Sequence, residues 1–107
     1  MRYILNSAVI TEEGLYKYNK ISLEDARKWL MESEFISAIG YKETSDAIEI
    51  LTGVRVDVNR IQVRLNKGDE ALIFRITKRV TDPNMKGELS KEYVLNNYEF
   101  GLLIRLE

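Results

Sequence analysis

Apolar positions recur along the chain with two spacings, and the switch from one to the other marks its elements. Tyr3-Ile4-Leu5 is a short apolar run ended by Asn6-Ser7, resumed by Ala8-Val9-Ile10 and closed by polar Thr11 to Gly14. It predicts a buried strand followed by a loop. Leu15 to Ile21 alternates in part and predicts a second extended segment. Ser22 then suits a helix N-cap, and Glu24 and Asp25 suit the positive end of the dipole. Ala26, Trp29 and Leu30 form one buried stripe, with Arg27, Lys28 and Glu32 on the wet side.

The apolar run Phe35 to Ile39 passes through Gly40 into a second helix. Thr44, Ala47, Ile48 and Leu51 share its buried stripe, Lys42, Asp46 and Glu49 lie opposite, and Gly53 occupies the place of a C-terminal cap. Further on, Ile61, Val63 and Leu65 alternate with Arg60, Gln62 and Arg64. Across the turn Asn66 to Asp69, the run Glu70 to Val80 places Leu72, Phe74 and Ile76 against Arg75, Thr77 and Arg79. These two runs predict a hairpin with Ile61 opposite Phe74 and Arg60 opposite Arg75. Two arginines facing each other repel, so that face calls for an acidic neighbour or a bound anion. Thr81 to Gly87 holds the one proline and predicts a loop, Ser90 suits the cap of a short helix from Lys91 to Asn96, and Tyr98 to Leu106 predicts a strand buried on both faces. The order indicates an α/β or α+β fold, a mixed sheet of about five strands flanked by helices.

Composition narrows the chemistry. A chain of 107 residues that is 45% apolar is expected to form a single domain, residues 1–107. Sixteen basic and seventeen acidic residues leave a net charge of −1, so no global field draws the chain to duplex nucleic acid or a membrane. Any anion must then be held by a local cluster. The chain contains neither cysteine nor histidine, which removes disulfides, thiolate nucleophiles and the usual metal ligands, and no metal or cofactor is expected. No apolar run is long enough to span a bilayer, and the sequence opens on a strand-like segment, as expected of a cytoplasmic protein.

No phosphate-loop, dinucleotide or hydrolase-elbow motif is present. What converges is the helix start at Gly40 to Thr44, the pair Asn59-Arg60, the pair Lys78-Arg79, and Asn6-Ser7 at a strand end. A helix start offers free N–H groups and positive potential, and glycine allows close approach. Arginines, amides and hydroxyls together suit a phosphodiester better than an apolar ligand. A solvated charged face with an ordinary turn is the plain alternative.

Four of these stretches together carry a resemblance. Tyr3-Ile4-Leu5-Asn6-Ser7-Ala8, Phe35-Ile36-Ser37-Ala38-Ile39-Gly40, Val58-Asn59-Arg60-Ile61-Gln62-Val63 and Ile76-Thr77-Lys78-Arg79-Val80 resemble, in the same order, the viral anti-CRISPR ring nucleases. The resemblance implies a homodimer that binds cyclic tetra-adenylate and cuts it without metal, by attack of a ribose 2′-hydroxyl on its own phosphodiester. It implies that Asn6 contacts the ring, that Asn59 and Arg60 shape the pocket, that Arg79 stabilises phosphate charge, and that Asp82 stands at an acidic position. The family's proton donor is a histidine directly after the glycine, and here that residue is Tyr41. A phenol ordinarily ionises near pH 10, far from the range where general-acid catalysis is efficient. Three readings follow: a slow ring nuclease, a binder that retains the ring intact, and a protein-interaction module.

Overall fold

The computed structural model describes residues 1–7, 12–32, 34–77 and 91–107, apart from the side chains of 91–93. In chain order the elements are β1 (Arg2–Leu5), β2 (Tyr16–Ile21), α1 (Leu23–Glu32), β3 (Ile36–Ser37), α2 (Lys42–Thr52), β4 (Glu70–Ile76), α3 (Lys91–Asn96) and β5 (Tyr98–Arg105). The five strands form one mixed sheet in the order β2-β5-β4-β1-β3. β1 runs parallel to both β3 and β4, whereas β5 runs antiparallel to β4 and β2.

Local signals account for most element ends. The Ser22 hydroxyl accepts the Asp25 N–H at 3.1 Å, satisfying one free donor of α1. Gly53 takes the left-handed conformation, φ 77°, and its N–H closes α2 onto the Glu49 carbonyl at 2.8 Å. All three helices feed one core with one face of the sheet: Ala26, Trp29 and Leu30 from α1, Ala47 and Ile48 from α2 and Val94 from α3 meet Ile4, Leu72, Phe74 and Phe100. Phe74 and Phe100 face each other in register, ring centroids 5.1 Å apart. Each such buried ring is worth about 1.5–3 kcal/mol relative to exposure. The opposite face carries a smaller core of Ala71, Ile73 and Leu103, packed by Tyr3, Leu5 and Tyr16 and covered by Val63 and Leu65.

The expected hairpin does not form. The turn at Lys67-Gly68 is present, with Gly68 at φ 88°, but residues 59–66 make no ladder, and Ile61 is 45% exposed instead of facing Phe74. Residues 71–74 are buried on both faces, so β4 takes a central place with β1 on one side and β5 on the other. The turn is tied instead to the end of β5, through Gly68 N–H to Arg105 O at 2.9 Å and Arg105 N–H to Asp69 O at 3.0 Å. Residues 61–65 therefore serve as a strap that lays Val63 and Leu65 under the sheet. Arg75 faces Glu99 in register and pairs with it at 3.0 Å, so the acidic neighbour comes from β5 and Arg60 lies elsewhere. Lys20 approaches the same carboxylate at 3.5 Å.

Residues 8–11, the end of the run to Val80, the loop Thr81 to Gly87 and the cap at Ser90 lie outside the described residues. Among the described residues, no helix is long and apolar enough to cross a membrane.

Candidate functional site

Three parallel strands, β3, β1 and β4, end at the same edge of the sheet, where open sheets commonly hold ligands. From β1 the chain continues into Asn6-Ser7, and from β3 it continues through Ala38, Ile39 and Gly40 into α2. The Ala38 N–H donates to the Ile4 carbonyl at 2.9 Å, which extends the β1–β3 pairing to this edge.

The segment 56–60 is then laid along the outer side of β3 by a set of short-range bonds. The Asn59 N–H donates to the Ile39 carbonyl at 2.8 Å, and its Nδ2 donates to the Ser37 carbonyl at 2.7 Å. The Ser37 hydroxyl donates to the Asp57 carbonyl and accepts the Ile39 N–H at 3.3 Å. One turn into α2, the buried Ser45 hydroxyl donates to the Val56 carbonyl. These contacts cover the unpaired edge of β3 and fix where Arg60 emerges.

Arg60 reaches back across the helix start. Its Nη2 donates to the Gly40 carbonyl at 3.2 Å, and its guanidinium carbon stands 5.0 Å from the centroid of the Tyr41 ring. Tyr41 is the N-cap residue of α2 in extended conformation, makes no side-chain cap bond and is 52% exposed. Gly40, Tyr41, Asn59 and Arg60 are thus brought together, although Tyr41 and Arg60 are nineteen positions apart by number.

Asn6 and Ser7 lie beside this group. With Ala38 and Ile61 to Val63 they line a cleft of about 190 Å³. A wider hollow of about 770 Å³ lies between Lys42 and the segment Arg55 to Asn59. Thr44 is only 5% exposed and contributes to the packing of α2, so its hydroxyl is not presented at the surface of the edge. Arg79 and Asp82 lie outside the described residues.

The cations of the region differ in what neutralises them. Arg55 is bonded to Asp46 at 3.0 Å and lies 3.8 Å from Glu49; the Asp46 bond, with Glu49 adding to it, pushes Arg55 further above its already high value. Arg64 pairs with Glu12 and Arg75 with Glu99. Arg60 has no carboxylate partner among the described residues. A guanidinium with donors to spare, beside the free N–H groups of an eleven-residue helix, is an arrangement that can bind a phosphate. Sequence reasoning missed Ser37 as a site residue; its one signal is a hydroxyl inside the apolar run Phe35 to Ile39.

Residues 2–101 match the family model described as STIV B116-like. The chain is 33% identical over 105 residues to protein YddF of Bacillus subtilis, an alignment that covers 96% of this chain and 95% of that one. It is 35% identical over 85 residues to ORF117 of Acidianus two-tailed virus, covering 75% and 73% of the two chains. It is 31% identical over 86 residues to protein 26 of Sulfolobus islandicus filamentous virus, covering 77% and 73%. In fold it is similar to B116 of Sulfolobus turreted icosahedral virus, with a TM-score of 0.73 over 96% of this chain and 97% of that one, at 24% identity. The mixed five-stranded α+β architecture is common to both.

Proposed function

The chain belongs to the STIV B116-like family, and from that premise we propose that it binds cyclic tetra-adenylate as a homodimer at the carboxyl edge of β3, β1 and β4. The observation that carries this reading is Arg60, a guanidinium without a carboxylate partner among the described residues, seated at the start of α2. Asn59 and Arg60 then meet phosphate and ribose, with Asn6 and Ser7 in the adjoining cleft. Two protomers supply Arg60 and Arg79 twice, four charges for four phosphates, as a twofold axis through the ring requires. The resemblance to viral anti-CRISPR ring nucleases supports the same ligand and adds a reaction.

In that reaction a ribose 2′-hydroxyl loses its proton to solvent as its oxygen attacks the adjacent phosphorus, the bond to the 5′-oxygen breaks, and the leaving oxygen takes up a proton. The products are a 2′,3′-cyclic phosphate and a 5′-hydroxyl. Arg79 stabilises the phosphate charge and Asp82 takes the family's acidic position. Arginine contacts and in-line positioning lower the barrier without metal. Proton delivery falls to Tyr41, and a phenol is a weak general acid near neutrality, so cleavage is slow. A second reading, a binder that holds the ring intact, is favoured by one observation: the Tyr41 ring is engaged with Arg60.

The test is incubation with labelled cyclic tetra-adenylate, first in excess of protein and then below it. Multiple turnovers unaffected by EDTA support the nuclease, and retention of intact ring supports the binder. Absence of both binding and cleavage refutes the proposal and leaves a protein-interaction role. Loss of cleavage in EDTA, restored by magnesium or manganese, refutes the metal-independent reaction.

A further inference from the structure

Gly40 has an ordinary backbone conformation; the glycines with positive φ among the described residues are Gly53 and Gly68. Its lack of a side chain therefore answers to space, not to backbone strain. A Cβ built there would stand 3.2 Å from Arg60 Nε, 3.7 Å from Cγ and 3.8 Å from Nη2, and Arg60 supplies all three nearest atoms. The first distance is inside comfortable van der Waals contact. The volume vacated by the missing side chain is thus taken by the arginine of another segment.

Two further contacts complete the enclosure. The Gly40 carbonyl accepts from Nη2, and the Tyr41 ring lies alongside the guanidinium. A free arginine carries about 2 kcal/mol of rotamer entropy, which a binding event would otherwise have to remove. Holding the guanidinium by one N–H and one face leaves its other donors available to a ligand while removing part of that freedom beforehand.

We propose that Gly40 and Tyr41 are positioning residues that form a seat for Arg60, and that this seat preorganises the arginine for a phosphodiester. The seat stands on the geometry alone; its effect on affinity rests on the ligand reading given above. Tyr41 then acts on the ligand through Arg60, a role independent of whether its hydroxyl gives a proton.

Four proteins test this: the parent, Gly40→Ala, Arg60→Ala and the double variant, each checked for an unchanged melting temperature. Without ligand, NMR of the parent should show Arg60 side-chain protons shifted by the Tyr41 ring current, with cross-relaxation between the two side chains. Gly40→Ala should abolish both signals. With cyclic tetra-adenylate, Gly40→Ala should bind about tenfold more weakly than the parent, and the same change in the Arg60→Ala background should cost less than about twofold. Retention of the ring-current signature in Gly40→Ala overturns the seat. An equal loss of affinity in both backgrounds overturns its action through Arg60. If the parent binds no ring, the ligand reading fails while the NMR comparison still decides whether the seat exists.

Discussion

Two serines tie the segment 56–60 to the rest of the fold, and their different burial fixes how much each is worth. Ser45 is fully buried in α2 and donates to the carbonyl of Val56, itself 1% exposed. Ser45→Ala leaves that carbonyl short of a donor where water does not reach, a cost of about 1–3 kcal/mol. Alanine's better helix propensity returns at most about 0.5 kcal/mol. The net loss is about 0.5–3 kcal/mol, centred on about 1.5 kcal/mol. Ser37 makes the same kind of bond to the Asp57 carbonyl, but in an exposed setting where water substitutes, so Ser37→Ala costs about 0.5–1 kcal/mol. Urea denaturation separates them. With an m-value of about 1–1.5 kcal/mol/M, Ser45→Ala should lower the midpoint by about 1 M and Ser37→Ala by about half that, with m unchanged. Ring affinity should show the reverse order, because the Ser37 hydroxyl donates to the Asp57 carbonyl and accepts the Ile39 N–H, and so holds the residues on either side of the site next to Arg60. A Ser37→Ala protein that is the less stable of the two, with affinity untouched, would refute the reasoning.

A Cβ on Gly101 would collide with the Tyr18 hydroxyl and Cζ, so Gly101→Ala must lift the tyrosine from the sheet. Thermal melts should show a loss of about 1 kcal/mol that disappears or changes sign in a Tyr18→Ala background; an equal loss in both backgrounds contradicts this. Burial pushes the Asp69 carboxyl up, but the Asn66 N–H at 2.9 Å, the terminal ammonium of Met1 at 3.0 Å and the charge of Arg105 outweigh it and hold the group below its usual range. A depressed folded value stabilises fully above the unfolded value of about 3.9, and that stability is lost as pH falls through the folded value. Asp69→Asn should therefore flatten the acid limb of the stability curve, and an unchanged limb would show that Asp69 is not its source. Tyr41→His should raise single-turnover ring cleavage by about 10–10³-fold and add a rate limb at the histidine's ionisation. If that variant binds the ring and cuts no faster, position 41 is not the proton donor.

Seven of the eight elements are legible in local signals, and the exception is β3, two residues inside the run Phe35 to Ile39. The Ser22 cap, the Gly53 terminus and the buried stripes of α1 and α2 each depend on residues within a turn or two of one another. The failure at 60–65 has a definite cause. Alternation states which side chains seek an apolar surface, and a strap lying under a sheet satisfies Val63 and Leu65 as well as a strand does. Partner choice was invisible for the same reason: Arg75 finds Glu99 only because β5 returns beside β4. At the site, the sequence grouped the helix start at Gly40 with Asn59 and Arg60, and the contacts of Arg60 with Gly40 and Tyr41 that hold the group together were not legible in it. Glycine was read as allowing the close approach of another backbone or a ligand, and the group that approaches is the Arg60 side chain. Thr44 was placed in both the buried stripe and the site, and it is 5% exposed in the packing of α2.

The central claim, that this edge binds cyclic tetra-adenylate through Arg60, is tested most directly by calorimetry with the parent and Arg60→Ala. The account predicts saturable binding of one ring per two chains. It predicts a loss of about 1.5–3 kcal/mol for Arg60→Ala, the scale of a hydrogen bond to a charged group. No binding by the folded parent, or full affinity in folded Arg60→Ala, would contradict it.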